Sequence, residues 1–160
     1  MQHYRSDASR ARTEYLLYRL FTIDMDSVRH GLAVLRRYRR DDVRFPLLRD
    51  VVVTYSRPFS GSKRPEGSLH FLSLKFVPRA MRSLHHELVS VRSTLFAHSD
   101  LVFHNPELLR DASTPRRVIA MSFSNADYRG LLRKVDAIGS LAEAVETSLW
   151  TELRRLESLF

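Results

Sequence analysis

The sequence predicts an all-α protein, a bundle of four to five helices with one short β-hairpin. Three observations lead there. Apolar residues recur every three or four positions through most of the chain, the spacing that gives a helix one buried face. The segment 56–68 holds Pro58, Gly61, Pro65 and Gly67 among several Ser and basic residues, a composition that breaks regular structure. Two short apolar stretches, 101–105 and 117–124, are parted by Pro106, Asp111, Ser113 and Pro115, as the arms of a hairpin are.

Taken in order, residues 7–21 bring Tyr15, Leu16, Tyr18, Leu20 and Phe21 together with arginines around them, an amphipathic helix. Asp24 or Asp26 then caps a second helix, in which Val28, Leu32, Leu35 and Tyr38 keep helical spacing and Arg36, Arg37, Arg39 and Arg40 suit the negative end of the dipole. The third apolar segment runs from Phe45 to Tyr55. Its β-branched run Val51-Val52-Val53-Thr54 also suits a strand, but the spacing of Leu48, Val52 and Tyr55 favours a helix. After the loop at 56–68, residues 69–76 alternate, with Leu72, Leu74 and Phe76 on one side, as an extended segment does. Pro78 opens a fourth helix to about His98, whose core stripe is Met81, Leu84, Leu88, Val91 and Leu95. Residues 126–160, capped by Asn125 or Asp127, read as one long helix with a soft point at Gly139.

A chain of 160 residues with 44% hydrophobic content is the size of one domain, expected to span 1–160. It has no Cys, which excludes disulfides, thiol catalysis and Cys-ligated zinc. The first residues are polar rather than an apolar secretion signal, and no apolar run approaches the roughly 20 residues that span a bilayer. A cytoplasmic protein without a membrane partner is expected. Its formal net charge is +8, and all but three of its 26 basic residues are arginine. That balance favours phosphate-rich partners, RNA among them.

The chemistry-bearing run is Arg92-Ser93-Thr94-Leu95-Phe96-Ala97-His98-Ser99-Asp100. Arg offers a permanent cation with a planar fork of donors suited to phosphate oxygens, and His both accepts and donates a proton near neutral pH. His85-His86-Glu87 lacks the His-Glu-x-x-His spacing of a zinc helix, and the chain has no phosphate-binding or dinucleotide glycine loop. No metal and no cofactor are expected. The run Tyr55-Ser56-Arg57-Pro58-Phe59 precedes the basic loop, where its aromatic rings suit the core better than base stacking.

Arg92, five residues, then His98, with the apolar step Leu95-Phe96-Ala97 into the His and Ser99-Asp100 after it, resembles the motif of HEPN domains. The resemblance implies an all-α fold, a homodimer pooling two copies of the motif, and metal-independent RNA cleavage in toxin or defence systems. It implies Arg92 and His98 as catalytic residues and a regulatory or antitoxin protein as a further partner. Two positions depart from the family. Ser93 stands where many members carry Asn, and Asp100 stands where members paired with a nucleotidyltransferase antitoxin have a Tyr that the partner modifies.

In a continuous α-helix, residues six apart lie about 120° apart around the axis and about 9 Å along it, so Arg92 and His98 of one copy do not meet on one phosphate. Two copies crossing near this point do, which is the physical case for a homodimer. In the expected reaction His98 takes the ribose 2′-OH proton and Arg92 stabilises the phosphate charge. Ser93 and Asp100, with Arg57, Lys63 and Arg64 of the basic loop, are the expected substrate contacts. The alternative is a catalytically silent helical module that binds nucleic acid or an acidic partner protein.

Overall fold

The long first helix sets the frame. In the computed structural model, which describes residues 2–96, 107–111, 118–122 and 127–159, α1 runs unbroken over Gln2–Leu35. Phe21, Met25, Val28, Leu32 and Leu35 are all buried along one stripe, which carries the helix straight through the two aspartates expected to start a new one. Asp24 is no cap. Its carboxylate accepts from Arg57 at 3.3 Å instead.

After a turn at 36–40, α2 spans Asp41–Ser56 with two aspartates in its first turn, where the dipole favours them. The valine run is helical, and Leu48, Val51, Val52 and Tyr55 face inward. Helices α1 and α2 approach closely at Gly31, where a Cβ would lie 2.9 Å from Val51 Cγ2.

The loop contains more structure than its composition suggests. A 3₁₀ turn at Arg57–Phe59 leads into a two-residue ribbon, β1 (Ser62–Lys63) against β2 (Leu69–His70), antiparallel. Gly61 sits at its entrance with φ of +93°, a conformation that glycine adopts without strain. Residues 71–77 are not one alternating strand: a 3₁₀ turn at Leu74–Phe76 buries Phe76 but leaves Leu74 at 37% exposure.

Pro78 precedes a 3₁₀ turn, Arg79–Met81, before α3 (Arg82–Val91). The helix then widens into a π turn over Arg92–Phe96 rather than continuing as an α-helix. Strands β3 (Glu107–Asp111) and β4 (Val118–Ser122) form the expected antiparallel hairpin, but its first arm falls on the residues expected to separate the arms. A short α4 (Tyr128–Leu132) has Asp127 as its cap, the carboxylate accepting from the Gly130 N–H at 2.7 Å. The break comes next, at Arg133 and Lys134, and α5 runs Val135–Glu157 through Gly139 without interruption.

The molecule is thus all-α with small antiparallel ribbons, built around the packing of α1 against α5 and α2. Ile138, Leu141, Ala142, Val145, Leu149, Leu153 and Leu156 give α5 its inward stripe. At about 1.5–3 kcal/mol for each fully buried large apolar side chain, this stripe and that of α1 supply much of the driving force for folding. Lys134 Nζ, on Glu87 at 2.6 Å, ties the start of α5 to α3. No described helix is long and apolar enough to cross a membrane.

Candidate functional site

A groove of about 500 Å³ lies between α1 and the turn that follows α2, with Arg92 on its lining. One wall is α1, presenting Leu17, Leu20, Phe21, Ile23 and Asp24; the other is Arg57 and the stretch from Ser60 to Lys63. Three residues named from sequence, Arg57, Lys63 and Arg92, therefore share one concave surface although they are up to 35 positions apart.

The three cations differ in how they are held. Arg57 Nη1 donates to Asp24 Oδ1 at 3.3 Å, which gives its charge a partner within the groove. Burial pushes the Asp24 carboxyl above its ordinary value, and the Arg57 hydrogen bond and charge partly offset this. Among the described residues, neither Lys63 nor Arg92 is paired with a carboxylate, and Lys63 is exposed.

Arg92 begins the π turn. The Ser93 hydroxyl donates to Val89 O at 3.1 Å and Ser90 O at 2.9 Å, and the Thr94 hydroxyl donates to Ser90 O at 2.8 Å. Hydroxyls bonded back onto helix carbonyls loosen the regular ladder and bend the helix. Ser93 thus serves its own backbone rather than Arg92. π turns are rare and concentrate at functional positions.

Arg64 does not join the groove. Its Nη2 donates to His70 Nδ1 at 2.7 Å and lies 3.9 Å from Glu14, so it fastens the β1–β2 ribbon to α1. His70 is correspondingly no free surface residue: its ring stacks on Phe21 and tilts against Tyr18. Burial, with the Arg64 charge next, pushes its pKa down. His98 and Asp100 lie outside the described residues.

His85 is buried, its Nδ1 hydrogen-bonded with the Tyr55 hydroxyl at 2.9 Å and its ring edge-on to Phe59. Tyr55 itself is fully buried, as the core reading of Tyr55 and Phe59 expects. Among the described residues no three His, Asp or Glu side chains gather as a metal-binding cluster. A second groove, of about 570 Å³ between α1 and α5, has its cations engaged: Arg29 with Glu146 at 2.9 Å and Arg36 with Asp136 at 2.7 Å. It offers a phosphate less uncompensated charge than the first.

Sequence reasoning missed the apolar wall, Leu20 and Ile23, each 58% exposed. The signal was their spacing with Leu16, one face of α1 over two turns. No family model, curated protein or solved structure matches this chain.

Proposed function

We propose that the protein is a metal-independent endoribonuclease of the HEPN type that acts as a homodimer, with Arg92 and His98 as its catalytic residues. The observation that carries this reading is the convergence of Arg57, Lys63 and Arg92 on one groove at the point where α3 turns into a π turn. A chain of net charge +8 draws RNA to such a groove, and the cations there meet successive phosphates.

The chemistry is a transesterification. His98 removes the proton from a ribose 2′-OH, and that oxygen bonds to the adjacent phosphorus. The bond from phosphorus to the 5′ oxygen breaks, and the departing oxygen takes a proton from the His98 of the second copy. Arg92 stabilises the charge on the non-bridging oxygens. The products are a 2′,3′-cyclic phosphate and a 5′-hydroxyl. A toxin or defence role and a regulatory protein partner belong to the same proposal.

Purified wild type, Arg92→Ala and His98→Ala are incubated with total RNA in EDTA, and the ends of any fragments are analysed. Cyclic phosphate ends from the wild type alone support the reading. Equal fragments from all three assign the cleavage elsewhere. RNA binding without cleavage by any of them favours the silent binding module.

A further inference from the structure

The walls of this groove are not those of a nucleic-acid channel alone. Leu20 and Ile23 stand exposed on α1, and Leu16, 56% exposed, continues the same face one turn earlier. Positions 16, 20 and 23 fall on one stripe of about 10 Å. Beneath them Leu17 and Phe21 are buried, so the floor is apolar too. Across the groove stand Arg57 and Lys63, with Arg92 also on the lining. Among the described residues the only carboxylate on the lining is Asp24, and Arg57 already holds it.

From this we infer that the groove docks an acidic amphipathic helix of a partner protein, which lays its apolar face on Leu16, Leu20 and Ile23 and its carboxylates against Lys63 and Arg92. Three features select this occupant. Nucleobases gain their affinity by stacking on aromatic faces, and the exposed wall offers branched aliphatic side chains instead. An apolar stripe over two helical turns matches the anchors of a helix laid in a groove. Lys63 and Arg92 have no carboxylate partner among the described residues, so an occupant that brings its own carboxylates is the complementary one.

The docking site stands on the groove itself, whether or not Arg92 and His98 cleave RNA. It adds a consequence to that reading, because a helix seated there covers Arg92. Protein partner and RNA then exclude one another.

The probe is a synthetic 18-residue helix with Leu along one face and Glu flanking it, labelled for fluorescence anisotropy against the full chain. A control peptide carries Lys at every Glu position. The acidic peptide is expected to bind in the micromolar range and the basic control not at all. Leu20→Ala with Ile23→Ala, both at exposed positions, raises the acidic peptide's Kd by about tenfold, since apolar anchors at the centre of an interface carry most of its energy. The same double variant leaves the Kd of a single-stranded RNA 20-mer within about twofold, and that RNA displaces the peptide from wild type. Absence of peptide binding overturns the proposal, as does equal binding of the basic control. A double variant that weakens RNA as much as peptide makes the groove a nucleic-acid seat and also overturns it. Loss of ribonuclease activity in His98→Ala tests the cleavage reading separately and leaves these outcomes untouched.

Discussion

Acid should unfold this protein partly through one residue, His85. Its ring is 4% exposed, packed against Tyr55, Phe59 and His86, and its Nδ1 is taken up by the Tyr55 hydroxyl. Burial pushes its pKa down from 6.5 to about 4, with the neighbouring His86 and Arg82 adding to the effect. The fold therefore holds the neutral ring, while the unfolded chain takes up a proton near the ordinary value. Stability from this source is complete above about pH 6.5 and is lost as pH falls toward 4. Each pH unit in that window is worth about 1.4 kcal/mol, so the loss is about 3 kcal/mol by pH 4. Against a domain stability of about 5–15 kcal/mol that is a large share. The assay is urea unfolding followed by circular dichroism at pH 8, 7, 6, 5 and 4, for wild type and His85→Asn. Asparagine keeps an acceptor for Tyr55 and does not titrate, so its profile retains only the slope due to the carboxylates and the other histidines, His70 among them. Wild type should lose about 3 kcal/mol more than the variant between pH 7 and 4. Parallel profiles would refute the assignment of the neutral, buried imidazole as the acid-sensitive group.

Three further outcomes follow from the packing. Gly31→Ala should destabilise by about 1 kcal/mol, although alanine is ordinarily the better helix former by about that amount, because its Cβ meets buried Val51; a rise in Tm would contradict the close approach. Gly61→Ala should cost about 1–3 kcal/mol, since φ is +93° and the new methyl group lies 3.1 Å from the Phe71 ring; it should also weaken RNA binding by distorting the wall that bears Lys63, and filter binding reads this. Asp127→Ala removes the cap on the Gly130 N–H and should cost about 1 kcal/mol in urea unfolding; Asp127→Asn should recover most of it.

Helical spacing made the class and the long stripes legible. The α5 stripe from Ile138 to Leu156 is buried as its periodicity indicates. What eluded the sequence were the ends. Asp24 has the chemistry of a cap, but Met25 continues the α1 stripe and Arg57, 33 positions away, claims the carboxylate. Gly139 looked like the soft point, yet a Cβ there has ordinary contacts with Leu32 and Arg36, and the chain breaks at Arg133 instead. Arg57, Lys63 and Arg92 were nameable one by one from charge and motif. That they line a common groove, and that Arg64 turns away to His70, depends on tertiary contacts with α1 that no local pattern carries.

The π turn at Arg92–Phe96 changes what a spacing means. A π turn accommodates one more residue than the α ladder would, so chain length and angular position fall out of step at Arg92. The number of residues between Arg92 and any later side chain is then not a measure of the angle between them. Removing a single residue within the turn, such as Thr94, takes out the extra one and lets an α ladder close through nearly the same rotation. The turn is therefore a place where a one-residue change in length is absorbed by a switch between π and α winding.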